Sequence, residues 1–250
     1  MLDPEISVVI PLRDEESNVV PLHDELTDVL DQLGRSYEVI LVDDGSTDGT
    51  FEQMGYVQAQ DPKVKAIRFT RNFGQTAAFA AGFAEARGQY IITLDGDLQN
   101  DPRDIPEMLT LAQRKDIVSG WRRKRQDSFL TRHLPSAIAN WLLGLVTGVR
   151  LHDNGCSLKV YRAKVVKPLK LRPGMHRYLP AIASQLGGRV AEVEVNHRPR
   201  QHGRSKYNLS RTFRVVADLV RLRRLMREAV DPNTPAPHLY DIAEIRSSTT

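Results

Sequence analysis

Apolar, β-branched runs alternate with stretches of helical periodicity through the first half of the chain. Ile6 to Ile10 is a short continuous run of the kind found in strands buried on both faces, and it ends at Pro11. Asp14, Glu15 and Glu16 then precede a helical stripe through Leu22, Leu26, Val29 and Leu33, with Gly34 as its stop. Tyr37 to Val42 reads as a second strand, followed by a helix from Thr50 and a strand from Val64 to Phe69. A helix from Gln75 to Arg87 and a strand from Tyr90 to Leu94 complete a βαβαβαβ alternation. That order predicts an α/β fold: a Rossmann-like, mostly parallel sheet with helices on both faces.

In such sheets ligands bind outside the carboxyl ends of the strands. Three of these ends carry polar clusters: Pro11 to Glu15, Asp43 to Ser46, and Asp95 to Gln99. The last is the most telling, because Asp95-Gly96-Asp97 sets two carboxylates one glycine apart where the sheet opens to solvent. Glycine lets the backbone approach a ligand closely, and hard carboxylate oxygens suit Mg²⁺ or Mn²⁺, which keep coordination positions open for phosphates. Two acids at a turn also serve as a solvated cap, and Asp101-Pro102 has the form of a helix start. Three convergent clusters favour the functional reading. Neither GxGxxG nor GxxxxGK[ST] occurs, so phosphate must be held another way, and a metal on Asp97 is the candidate.

The second half is less regular. Ile105, Met108, Leu109 and Ala112 form an amphipathic stripe, and Asp116 to Ser119 a short strand. Arg122 to Arg132 is a basic segment, and from Pro135 to Val149 apolar residues return at helical spacing, as core or as a helix lying in a membrane surface. Gly155 to Arg162 reads as a turn into a strand, and Val190 to Val195 as another strand. The latter delivers a polar loop, His197 to Tyr207, rich in side chains that bind phosphate. Leu209 to Val230 is a basic amphipathic helix that packs on the domain, pairs with a second copy, or rests on anionic lipid. The expected organisation is one domain over 1–208, this helix over 209–230, and a disordered tail over 231–250 marked by Pro232, Pro235 and Pro237.

The net charge is +4, and basic residues cluster at Arg122 to Arg125 and from Arg198 to Arg227, which points to an anionic partner. No aromatic-interleaved basic surface argues for nucleic acid. Cys156 is the single cysteine, which excludes an internal disulfide and a multi-cysteine zinc site and suits a reducing compartment. No signal peptide is expected at Met1 to Glu5, and no apolar run is long enough to span a bilayer.

Five motifs in this order resemble the inverting glycosyltransferases of family 2, nearest to dolichol-phosphate mannosyltransferases and their bacterial relatives that glycosylate undecaprenyl phosphate. They are Val8 to Pro11 with Glu15, Leu41 to Thr50, Arg71 to Thr76, Asp95 to Gln99, and Arg200 to Lys206. The resemblance implies a GT-A type fold and a nucleotide-diphospho-sugar donor. It implies that Pro11, Glu15, Asp43 and Asp44 line the nucleoside pocket, and that Asp95, Asp97 and Gln99 hold Mg²⁺ or Mn²⁺ against the diphosphate. Arg122 or Arg123, with Arg132, would grip an acceptor phosphate, and Arg200, Ser205 and Lys206 match the family's flexible Arg-x-x-Gly-x-Ser-Lys loop.

The chemistry follows from charge. Breaking a glycosyl-phosphate bond develops negative charge on the departing diphosphate, where a divalent cation and Lys206 would act. A hydroxyl acceptor needs a general base, whereas a phosphate monoester, with a second pKa of about 6, is already mostly dianionic at neutral pH. It needs arginine instead. The base candidate nearest the arginines is Asp153, a position that looks structural in the family, so a polyprenyl phosphate is the expected nucleophile. The competing readings are transfer to a saccharide or protein hydroxyl, and a sugar-nucleotide-binding module without turnover. Many bacterial relatives continue after the Arg-x-x-Gly-x-Ser-Lys loop into two membrane-spanning helices, where this chain turns into an arginine-rich stretch ending near Glu228. Peripheral association with the cytoplasmic leaflet through Arg221 to Arg227 and the Trp141 helix is therefore expected.

Overall fold

The computed structural model describes residues 3–123, 144, 147–199 and 224–248. Most of the expected helix over Pro135 to Val149, and the start of the one from Leu209, lie outside them. The strands are β1 (Ile6–Leu12), β2 (Tyr37–Asp43), β3 (Val64–Phe69), β4 (Tyr90–Thr93), β5 (Ile117–Trp121), β6 (Lys159–Arg162), β7 (Val190–Glu194) and β8 (Ile242–Ser247). They form one sheet in the order β7-β5-β6-β4-β1-β2-β3-β8. Only β6 and β8 among them run against the rest, β6 between β4 and β5 and β8 along β3. The helices are α1 (Val19–Gln32), α2 (Thr50–Gln60), α3 (Gln75–Glu85), α4 (Ile105–Ala112), α5 (Ala163–Val166) and α6 (Leu179–Ser184).

The continuous apolar runs are explained by two cores, one on each face of the sheet. Val8 and Ile10 of β1, Val39 and Leu41 of β2 and Ile92 of β4 pack with Leu22, Leu26 and Leu30 of α1 and with Met108 of α4. Their neighbours Val9, Ile40, Val42 and Ile91 turn to the other face, against Phe79 and Phe83 of α3 and Ile182 of α6. The strand period of two thus places successive apolar side chains in different layers. Each fully buried aliphatic side chain contributes about 2 kcal/mol. The buried stripe of α1 runs through Leu22, Leu26 and Leu30, while Val29 and Leu33 are half-buried at its margin.

In the C-terminal region one reading narrows and another changes. Residues 224–230 are helical and pack on the domain, with Met226 and Ala229 fully buried and Arg224 and Arg227 facing solvent. The segment expected to be a disordered tail instead returns to the sheet as β8, antiparallel to β3, with Ile67 opposite Ile245. It is tied down on the way: the Lys170 ammonium donates to the carbonyls of Asp231 (2.8 Å) and Pro232 (2.9 Å), and Tyr240 stacks on Phe69 at 5.0 Å. Proline content signals disorder only where the chain lacks such partners.

Candidate active site

Because β4, β1 and β2 are neighbours, their carboxyl ends bring the three polar clusters together on one rim. Beyond β4, Asp97 is 7% exposed, and its Oδ1 accepts from the Gln99 amide at 3.2 Å. Asp95 is held from two sides, its Oδ1 by Gln75 Nε2 at the start of α3 (2.7 Å) and its amide by Asn100 Oδ1 (3.2 Å). The glycine between them packs closely against protein: a Cβ on Gly96 would lie 2.3 Å from Leu12 Cδ2, and that side chain would have to move. Leu98 has φ +60°, and Asp14 on the β1 rim has φ +51°. These are the only non-glycine residues in the left-handed region among the described residues. A leucine held there costs about 1 kcal/mol, and such strain gathers where geometry serves a ligand.

Asp43 and Asp44, adjacent in sequence, do different work. Asp43 is fully buried, its Oδ1 accepting from the Ser46 amide (2.9 Å). Its Oδ2 lies 3.5 Å from Arg68 Nε without a hydrogen bond, and burial pushes its carboxyl above the ordinary range despite the Ser46 contacts. Asp44 instead braces the loop that opens α3, taking the amides of Phe73 (2.7 Å) and Gly74 (3.0 Å) and the Asn72 side chain (3.2 Å). Gly45 is fixed by the same contact, since at φ +68° a Cβ would lie 2.4 Å from the Arg71 carbonyl carbon. Glu15 faces the start of its own helix, its amide donating to Thr50 Oγ1 and its Oε2 accepting from Asn18 Nδ2. Pro11 is half-buried near the end of β1. Beside Ser46 opens a cleft of about 550 Å³, lined by Arg13, Thr47, Arg68, Arg71, Glu244 and their neighbours.

The two arginines after β5 also part ways. Arg122 grips Asp153 through Nε (2.7 Å) and Nη2 (3.0 Å), with both side chains nearly buried. Burial opposes the Arg122 charge, and Asp153 outweighs it, holding the guanidinium above its usual range. Arg123 is 63% exposed, over the Trp121 ring and 3.4 Å from Glu194. Arg132, Arg200, Ser205 and Lys206 lie outside the described residues.

Several site residues were not singled out in advance. Gln75 positions Asp95. Lys159, whose ammonium bonds the Cys156 and Asn154 carbonyls, is buried beneath Arg122 and Asp153, and burial draws its pKa down. Its signal was a lysine between Leu158 and Val160 at the start of a strand whose middle residues are apolar. Burial likewise pushes the Cys156 thiol up to about 11, so it is a packing residue. The loop from Asp95 is laced to the segment leading into the Arg200 loop: Arg198 Nη2 meets Asp101 at 2.8 Å, the Arg198 amide donates to the Gln99 carbonyl, and Asn100 pairs with His197. Burial would raise Asp101, but Arg103 and Arg198 hold its carboxyl down at about 2 against an ordinary 3.8.

This lacing depends on pH. A depressed carboxyl contributes stability above its ordinary pKa and loses it as pH falls through the folded value, so the window is pH 4 to 2. Thermal melts across that window should show the wild-type melting temperature falling more steeply than that of Arg198→Met, which at pH 7 should already be less stable by about 2 kcal/mol.

The sheet has a GT-A type architecture. Among solved structures, glucosyl-3-phosphoglycerate synthase of Mycobacterium tuberculosis, in complex with Mn²⁺ and UDP-glucose, matches with a TM-score of 0.67 at 19% identity, over 88% of this chain and 79% of that one. Mannosyl-3-phosphoglycerate synthase of Rubrobacter xylanophilus matches at 0.66 and 18%, over 94% and 79%. The chain belongs to glycosyl transferase family 2, whose family model matches residues 7–169. Dodecaprenyl-phosphate galacturonate synthase of Rhizobium johnstonii is 46% identical over 233 residues, 91% of this chain and 69% of its own. Undecaprenyl-phosphate 4-deoxy-4-formamido-L-arabinose transferase of Aeromonas hydrophila is 40% identical over 217 residues, 86% and 66%. The chain thus spans about two thirds of the length of these curated relatives.

Proposed function

We propose that this protein transfers a sugar from a nucleotide-diphospho-sugar to a polyprenyl phosphate, with inversion and with a divalent cation. The observation that carries the acceptor reading is the Arg122–Asp153 pair: the carboxylate best placed to act as a base is engaged by both Nε and Nη2 of one guanidinium. A phosphate nucleophile needs no base, and the relatives named for dodecaprenyl and undecaprenyl phosphate fit that choice.

Among the described residues no group of three His, Cys, Asp or Glu side chains converges on one point. Mg²⁺ and Mn²⁺ take one or two carboxylates and complete their shell with water and phosphate. Asp95, Asp97 and the Gln99 side-chain Oε1 would offer an all-oxygen donor set of the kind that suits such a cation. When bound, the cation supplies positive charge against the departing diphosphate. Asp95 is kept in place by Gln75 and Asn100, so the chain fixes that oxygen before substrate arrives. Arg123, and with it Arg132 and the Arg200, Ser205 and Lys206 loop, offset the repulsion between acceptor and donor phosphates.

No helix among the described residues is long and apolar enough to cross a membrane. A lipid acceptor then requires the protein to work at a surface, and peripheral attachment to the cytoplasmic leaflet through the exposed Arg224 and Arg227 is the reading we adopt.

The test is transfer of labelled sugar from a panel of UDP and GDP sugars into an organic phase, with purified protein, Mg²⁺ or Mn²⁺ and a polyprenyl phosphate. Label that depends on both metal and lipid is the expected result. Label transferred only to a water-soluble hydroxyl acceptor would overturn the phosphate reading. Asp153→Asn sharpens the point: it should lower the melting temperature, because a buried guanidinium loses its counter-charge, while activity stays within about tenfold of wild type. A loss as deep as that of Asp97→Ala would make Asp153 the base.

A further inference from the structure

The cleft beside Ser46 has a wall that belongs to neither the β1, β2 nor β4 rim. Ala243 and Glu244 of β8 line it, facing a cleft that Arg13, Arg68 and Arg71 also line. The ladder between β3 and β8 slips there: Arg68 stands opposite Glu244, but Phe69 stands opposite Ile242, so Ala243 is one residue too many. A bulge of this kind re-aims side chains and is common beside active sites. Its surroundings are fixed. Tyr240 stacks on Phe69, the Thr70 amide donates to the Asp241 carbonyl at 3.0 Å, and Arg246 donates to Glu244 Oε1 at 2.7 Å. The guanidiniums of Arg246 and Arg68 lie 4.3 and 5.0 Å from the Phe51 ring centre.

We propose that β8 forms the outer wall of the nucleoside pocket, and that Glu244 accepts a hydrogen bond from the nucleoside of the donor. The inference rests on the donor reading above and adds to it a residue from the C-terminal segment. The chemistry fits in two respects. A volume of about 550 Å³ accommodates a nucleoside. Three arginines and a single carboxylate suit an anionic ligand that also carries N–H and O–H donors, since guanidinium only donates and carboxylate only accepts. The same cleft borders Gly45 and Ser46, the turn that Asp43 holds, and so continues the rim rather than forming a separate site.

The experiment is calorimetric binding of UDP, GDP, CDP, ADP and inorganic pyrophosphate, each with Mg²⁺, to the full chain and to Glu244→Ala and Ala243→Leu. Both positions are at the surface, so the variants should fold; the exchange of amides 242–247 with deuterium, with and without nucleotide, reports the wall directly. The expected result has three parts. Affinity for the preferred nucleoside diphosphate falls at least tenfold in both variants, pyrophosphate affinity stays within twofold, and nucleotide slows exchange in 242–247. Equal loss for nucleotide and pyrophosphate, or no loss for either, overturns the inference and leaves the donor reading standing. A wild-type chain that binds none of the four nucleotides overturns both.

Discussion

Asp97→Ala is expected to lower sugar transfer by about a thousandfold, equivalent to about 4 kcal/mol of lost transition-state stabilisation, while the protein remains folded. Its Oδ1 accepts an amide bond from Gln99 at 3.2 Å, and the thermal melt separates any loss of stability from the loss of transfer. Under the proposed function it supplies the reaction with a carboxylate where the diphosphate would be neutralised as it departs. The check is kcat/KM alongside a thermal melt, with Asp97→Asn as the variant that keeps the shape and loses the charge. A transfer rate within tenfold of wild type for the alanine variant would remove Asp97 from the proposed metal site.

Asp44→Ala should damage activity and stability together. Asp44 is 6% exposed and satisfies the amides of Phe73 and Gly74 and the side chain of Asn72. Without it, those donors are left buried or the loop moves, at a cost of about 3 kcal/mol. The loop opens α3, whose first residue, Gln75, holds Asp95, so the disturbance reaches the carboxylate pair through two hydrogen bonds. Denaturant melts and transfer assays should therefore fall together. Asp44→Asn, which keeps one acceptor oxygen, should recover part of both; unchanged stability in the alanine variant would contradict the bracing role.

The fold of the first hundred residues was legible because β1, β2 and β4 are buried on both faces and so carry uninterrupted apolar runs that end in polar clusters. The rim followed from the parallel order. The division of labour within the rim did not. Asp43 and Asp44 look alike in the sequence, and only the neighbouring Arg71 to Gly74 loop makes one a brace. Arg122 and Arg123 are equally alike until Asp153, distant along the chain, claims one of them. The position of β6 between β4 and β5 is set by antiparallel pairing between segments far apart, which no local period reports. β8 was hidden for two reasons: its side chains are mostly exposed, and the bulge at Ala243 breaks the alternation that would have marked a strand.

β8 also settles how the sheet ends. Without it, β3 would present an open ladder beside Val64, Ala66, Ile67 and Phe69, a surface suited to pairing with other chains. The strand that covers it is short, bulged and charged at Glu244 and Arg246, and offers a poor template of its own. Protection against self-association and the shape of the cleft wall are therefore carried by the same six residues, and selection on one constrains the other.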